Sequence, residues 1–222
     1  LKSQFINFYS KLRPIIFLGD PEKIHTSMLY TIEKLSNFST FFKFLDFQFK
    51  KEFNILKTHI FKKQINNPIG LAAGFDKDGR IFNTLFRIGF GFVEIGTVTP
   101  QPQLGNAKPR IFRLVKDKAL INCLGFNSRG AFEMLENLKN VKNRIKSKSS
   151  YLRPFHFSSG MLGINIGKNK ITPIEKANED YISLLKTLYP YADYFTLNIS
   201  SPNTENLGNL QKGDALKTLL EK

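Results

Sequence analysis

The chain is 222 residues long, 41% hydrophobic and 23% charged, which excludes a wholly disordered chain, a collagen-like fibre and a coiled coil. A single cysteine, Cys123, excludes a disulfide-stapled fold within the chain, and no apolar run approaches the ~18 residues of a membrane-spanning helix. Thirty-three Lys and Arg against 18 Asp and Glu leave a formal charge of +15, which admits nucleic acid, an anionic membrane surface or an acidic small molecule as partner. A bias toward A and T in the coding sequence explains the charge equally well, because Lys, Asn, Ile and Phe are all abundant. The basic residues are scattered and no nucleic-acid motif accompanies them, so no nucleic-acid partner is expected.

The chain opens at Leu1 rather than Met, which leaves its true start open. Ile15-Ile16-Phe17-Leu18 is too short for a signal-peptide core, and no small-residue cleavage site follows it. Asp20-Pro21-Glu22 is a helix start, an N-cap acid followed by Pro at the first helical position. Ile24, Met28, Leu29, Ile32 and Leu35 then recur at helical spacing. Phe38, Phe41, Phe42, Phe44, Phe47 and Phe49 follow among Lys and Asp. This aromatic face either packs on the main domain or lies with its basic rim on a membrane surface. The boundary between this helical region and the main domain falls at residues 50/51.

Residues 53–59 and 60–65 predict two short strands of a hairpin. Four short apolar runs follow: Ile69 to Gly74, Phe92 to Thr97, Leu162 to Gly167, and Tyr194 to Ile199. Helix-compatible stretches over 78–88, 128–146 and 174–189 separate them, and 214–220 predicts a helix after the fourth. Strand-then-helix alternation predicts parallel βαβ units. The stretch 147–160 reads as a flexible insertion. An eight-stranded β/α barrel needs ~250 residues, so four strands after a helical appendage predict half a barrel, cut short after about the fourth strand.

Parallel α/β proteins bind ligands at the carboxyl ends of their strands. Here those ends carry Gly74 and Lys77, then Thr97 and Thr99, then Asn165 with Lys168 and Asn169, then Asn198, Ser200, Ser201, Asn203 and Thr204. Asn122 to Asn127 lies between the second and third strands. Amides and hydroxyls with one lysine suit a neutral, planar, heteroatom-rich ring such as a flavin or a pyrimidine. His25, His59 and His156 are dispersed. No metal-ligand spacing, Walker loop or Gly-x-Gly-x-x-Gly turn is present, so no metal is expected.

Asn67 to Lys77, Glu94 to Pro100, Asn165 to Lys170 and Asn198 to Thr204, together with Asp20-Pro21-Glu22 and His25, resemble the class 2, quinone-dependent dihydroorotate dehydrogenases, in the family's order and approximate spacing over nearly the whole chain. The resemblance implies a (β/α)8 TIM barrel that binds FMN and oxidises dihydroorotate to orotate in pyrimidine (UMP) biosynthesis, passing electrons to ubiquinone or another membrane quinone. It implies Ala73, Gly74, Phe75, Asp76, Lys77, Thr97, Asn165 and Asn198 as cofactor contacts. Lys77, Asn122, Cys123, Leu124, Gly125, Phe126, Asn198 and Asn203 would contact substrate, and Ser201 would be the catalytic base. Class 1 relatives place a cysteine at the position of Ser201. The N-terminal helices would form the quinone entrance, with His25 and Arg113 at the quinone site, which favours the membrane-surface reading of residues 1–50. The implied location is peripheral on a membrane, the cytoplasmic face of a bacterial inner membrane or the mitochondrial inner membrane.

The resemblance departs at Cys123-Leu124, where relatives often carry a basic or bulkier pair. The family's second half supplies a further flavin-contacting lysine, another substrate Asn and a glycine-rich phosphate-binding region that these 222 residues do not contain. An inactive remnant of such an enzyme stands as the alternative, and another flavin barrel such as a tRNA dihydrouridine synthase stands behind it.

Overall fold

The computed structural model describes residues 2–49, 53–61, 63–147, 160–204 and 207–221. The flexible insertion expected at 147–160 falls almost entirely on residues 148–159, outside the described residues.

Three helices come first: α1 (Lys2–Leu18), α2 (Pro21–Leu35) and α3 (Ser39–Phe49). The Asp20 carboxylate accepts the backbone N–H of Lys23 at 2.8 Å and Pro21 opens α2, as the sequence predicts. Helix α1 runs through Pro14, which conceals it in the sequence because an internal Pro costs a backbone hydrogen bond.

A hairpin follows, β1 (Thr58–Ile60) with β2 (Lys63–Ile65). The expected first strand is shorter than the sequence suggests. Asn54–Leu56 is a single 3-10 turn, and Ile55 is 92% exposed with no sheet to cover it. Strands β3 (Gly70–Leu71), β4 (Phe92–Val98), β7 (Met161–Ile166) and β8 (Tyr194–Leu197) form one parallel sheet in the order β3-β4-β7-β8. Helices α4 (Phe82–Arg87), α5 (Gly130–Ser147) and α6 (Ala177–Leu188) lie between successive strands, and α7 (Gly213–Leu220) follows the fourth. The predicted helix over 78–88 starts only at Phe82, because Gly79 adopts a left-handed φ of +67° and Asp76 draws the next amides inward. A second hairpin, β5 (Ile111–Leu114) with β6 (Ala119–Asn122), turns at Lys118 (φ +51°). Its strands are not among the apolar runs of the sequence.

The period-2 alternation of strands divides the sheet chemically. Val93, Ile95, Leu162, Ile164 and Ile166 join the main core with Phe82 and Leu85 of α4, Met134 and Leu138 of α5, and Tyr181 and Leu184 of α6. Burying side chains of this size stabilises by about 1.5–3 kcal/mol each. The register places Glu94, Gly163 and Tyr194 side by side on the other face, with Asn165 and Thr196 one step further along. Gly163 is required there, since a Cβ would stand 2.2 Å from the Tyr194 ring.

Ion pairs fasten the N-terminal helices to this body. Glu22 of α2 receives Arg110 on both oxygens (2.9 and 2.6 Å) with Lys108 at 3.3 Å, and the Arg110 hydrogen bond holds its carboxyl below the usual carboxylate range. Glu33 pairs with Arg80, and Asp46 of α3 pairs with Arg87, whose guanidinium lies 4.6 Å over the Phe42 ring. Leu45 is buried while Phe47 of the same helix is 83% exposed. One side of the aromatic stretch therefore packs, as the first of the two sequence readings holds, and another remains open. No helix among the described residues is long and apolar enough to cross a membrane.

Arg113 donates to the Gly19 carbonyl at 2.7 Å and lies 4.7 Å over the Phe17 ring, closing the end of α1. Arg113→Ala should speed amide exchange in residues 14–19 by about 10-fold. Unchanged protection by exchange mass spectrometry would count against the latch.

Candidate functional site

The carboxyl ends of the four parallel strands carry the polar residues singled out in the sequence. Thr97, only 5% exposed, donates its hydroxyl to Asn165 Oδ1 at 2.6 Å. Asn198 Nδ2 donates to Thr97 Oγ1 at 3.0 Å and to Asn165 Oδ1 at 3.1 Å. These three residues come from β4, β7 and the end of β8, so the parallel register closes them into one hydrogen-bonded triangle. Glu94, to which the sequence analysis gives no role, accepts Asn165 Nδ2 on one oxygen (2.8 Å). Its other oxygen accepts the hydroxyls of Tyr194 (3.2 Å) and Thr196 (3.0 Å). An acid between apolar residues in Phe92–Val98, on the same strand face as Gly96, was the available signal.

The first strand end lies against the second. Gly74 N–H donates to the Gly96 carbonyl at 2.7 Å, and Gly96 N–H donates to the Asp76 carbonyl at 3.2 Å. Gly74 has a left-handed φ of +102°, and nothing stands within 4 Å of where its Cβ would be. That leaves open space beside exposed backbone. The Phe75 ring meets His25 edge-on at 4.8 Å, and His25 Nε2 lies 2.8 Å from the Phe75 carbonyl. Helix α2 therefore braces this loop from outside.

Asp76 is fully buried, and its two oxygens accept the backbone N–H groups of Arg80 and Ile81 at 2.8 and 2.9 Å. Burial pushes its carboxyl up to about 6 against those bonds. Its side chain is committed to the loop, leaving only backbone for a ligand. Desolvation draws the Lys77 ammonium below the ordinary lysine value, and Asp78 and Glu22 partly oppose this. No acceptor lies within hydrogen-bond distance of that ammonium among the described residues.

The segment 122–128 is tied in by main-chain bonds. Cys123 N–H donates to the Arg110 carbonyl, and Asn106 spans the Cys123 and Leu124 carbonyls. Gln103 Nε2 donates to the Phe126 carbonyl at 2.8 Å, while its Oε1 accepts Asn169 Nδ2 and Lys170 N–H. Gly125 and Phe126 both have positive φ, and the buried Phe126 ring stands with Thr97 against Gly167. Asn122 is exposed and makes no side-chain hydrogen bond with the triangle. Asn127 Oδ1 is buried without a partner, an orphan that the sequence analysis did not single out.

After β8, Ser200 N–H reaches Asn198 Oδ1 at 3.4 Å and the Tyr181 hydroxyl holds the Asn198 carbonyl at 3.0 Å. Ser201 Oγ accepts the Asn203 N–H at 3.3 Å. Ser201 and Asn203 thus share one short loop with Asn198, though neither bonds directly to the triangle. His25 and Arg113 both sit where α2 and the end of α1 meet the barrel-side loops, occupied with Phe75 and Gly19 respectively.

A parallel sheet with helices between its strands, and with amides, hydroxyls and a desolvated lysine at its carboxyl edge, defines an α/β protein built from βαβ units. A family model described as dihydroorotate dehydrogenase matches residues 55–222. The chain is 44% identical over 213 residues to a dihydroorotate dehydrogenase (quinone) of Psychrobacter sp. (strain PRwf-1), spanning 96% of this chain and 56% of the relative. A protein of the same name from Acinetobacter baumannii (strain ATCC 17978) is also 44% identical, over 96% of this chain and 57% of its own length. A crystal structure of DHODH from Eimeria tenella in complex with ferulenol superimposes with a TM-score of 0.75 at 38% identity, covering 91% of this chain and 50% of that one. The chain belongs to the dihydroorotate dehydrogenase family and has its TIM-barrel-type α/β fold. It spans about half the length of the curated relatives it matches.

Proposed function

We propose that the chain acts in a quinone-dependent dihydroorotate dehydrogenase, oxidising dihydroorotate to orotate with FMN and delivering the electrons to a membrane quinone. The observation that carries this is the Thr97–Asn165–Asn198 triangle at the strand ends, beside the open backbone at Gly74. The residues present fit a flavin. The triangle offers both donors and acceptors, the Lys77 ammonium is desolvated and unpartnered among the described residues, and Gly74 leaves room for close approach. Ala73, Gly74, Phe75, the Asp76 backbone, Lys77, Thr97, Asn165 and Asn198 would hold it.

When bound, FMN supplies the hydride acceptor for the two-electron oxidation. The rest falls to the chain's own groups. Asn122, Asn198 and Asn203 orient the substrate by amide hydrogen bonds, and the segment Cys123, Leu124, Gly125 and Phe126 walls it. The unpartnered Asn127 Oδ1 offers one further acceptor in that segment. Ser201 Oγ takes the proton leaving carbon, held in place by the Asn203 N–H, and hands it on through Thr204 or water. Lys77 stabilises negative charge that builds up near it, an electrostatic role needing no proton transfer.

The four parallel strands form the opening half of the barrel in this reading. Helices α1–α3, with His25 and Arg113 at their junction with the barrel, form the quinone entrance. The open aromatic side of α3 supports laying them on a membrane surface, either the cytoplasmic face of a bacterial inner membrane or the mitochondrial inner membrane. The test is FMN titration followed by quinone reduction. The protein is expected to bind one FMN and to reduce a ubiquinone analogue when dihydroorotate is added. Saturating FMN with no bound flavin would defeat the proposal.

A further inference from the structure

Glu94 is the only acid on β4, and all its recorded hydrogen bonds are to donors: Asn165 Nδ2, the Tyr194 hydroxyl and the Thr196 hydroxyl. A carboxylate has no proton to give, so Asn165 must turn its NH2 toward Glu94. Its Oδ1 is then fixed as the acceptor for Thr97 and Asn198. Asn198 in turn spends its NH2 on Thr97 and Asn165, which leaves its Oδ1 facing the Ser200 loop. The direction of both amides follows from the one group that can only accept.

We propose that Glu94 is a positioning residue that sets the donor and acceptor polarity of Asn165 and Asn198, and so fixes which edge of a planar heterocycle the strand ends can bind. The proposal rests on the flavin-site reading of those two asparagines. Glu94 touches no ligand. It acts through the amides, from the position paired with Gly163, two residues before Asn165 in the register.

An isosteric Glu94→Gln places an NH2 where Asn165 also presents one. It escapes that clash by turning its oxygen to Asn165 and its NH2 to the Tyr194 and Thr196 hydroxyls, which can rotate to accept, so E94Q alone is expected to be mild. Asn165→Asp alone sets two carboxylates together. The double variant restores the pattern with the charge moved. The introduced glutamine donates to the introduced aspartate, and the glutamine oxygen still accepts from Tyr194 and Thr196. The aspartate in turn accepts from Thr97 and Asn198.

The experiment compares wild type, E94Q, N165D and E94Q/N165D by FMN fluorescence titration and by thermal melting without flavin. N165D should weaken FMN binding about 10-fold or more, as expected where two acceptors face each other in a buried site, E94Q should stay within about 3-fold of wild type, and the double variant should recover to within about 3-fold. Melting midpoints should show the same non-additive recovery. Wild-type affinity in N165D, or additive losses in the double variant, would overturn the proposal. If N165D does not fold, the double variant decides: folded and binding supports the proposal, unfolded overturns it. Non-additive melting in a wild type that binds no FMN would keep the polarity relation and overturn the flavin reading instead.

Discussion

In the proposed dehydrogenase, replacing Ser201 with Ala is expected to lower turnover of dihydroorotate by about 10²–10⁴-fold, the range a positioned base contributes, while FMN affinity stays within about twofold of wild type because Ser201 is not among the proposed flavin contacts. Two features of the structure separate the two effects. Ser201 makes no hydrogen bond to Thr97 or Asn165 among the described residues, and its hydroxyl is held by Asn203 within its own loop. Removing the hydroxyl therefore leaves the triangle intact and orphans one backbone N–H that is close to solvent. A serine is a weak base in water, so the rate it supports should climb with pH as the proton is taken up more readily. Ser201→Cys should retain part of the activity with a different pH profile, because a thiol ionises far more easily. Stopped-flow reduction of bound flavin by dihydroorotate reads the chemical step directly. Equal rates in wild type and S201A would remove Ser201 from the reaction, and a parallel loss of FMN binding would make its role structural.

The parallel strands were legible because strands buried on both faces read as short apolar runs ending in small or polar residues, as Phe92–Val98 and Met161–Ile166 do. Thr97, Asn165 and Asn198 were legible for the same reason: a polar residue at the end of such a run has nowhere to go but the strand-end cleft. The hairpin of β5 and β6 escaped because its strands are only four residues each, Arg113 interrupts the apolar run of the first, and most of its side chains are exposed. Glu94 stood inside a motif yet received no role, since only the register with β7 and β8 brings Asn165, Tyr194 and Thr196 to it. Asp76 shows the opposite limit. The resemblance implies it as a cofactor contact, yet side-chain direction is decided by tertiary packing, and the carboxylate points into the loop, which leaves its backbone for that role.

That buried carboxylate carries the largest expected effect on stability. Asp76→Ala leaves the Arg80 and Ile81 amides without their acceptor in a site closed to water, an expected cost of about 2–5 kcal/mol. The same segment carries Gly74 and Lys77, so FMN binding should weaken with it. The pH dependence has a definite sign. Burial raises the folded-state carboxyl to about 6, above its unfolded value near 3.8, so the folded protein holds the proton more tightly than the unfolded chain. Asp76-linked stability is then fully present below the unfolded value and is lost as pH rises through about 6, roughly 3 kcal/mol in all. Asp76→Asn keeps the shape and cannot titrate, and one of its two ends turns a donor toward an N–H. Urea midpoints of wild type and D76N, measured side by side from pH 4.5 to 7.5, should converge as pH rises, because only the wild type loses this contribution. A gap that stays constant over that range would mean the carboxyl is ionised throughout, with the two backbone bonds outweighing the cost of burying its charge.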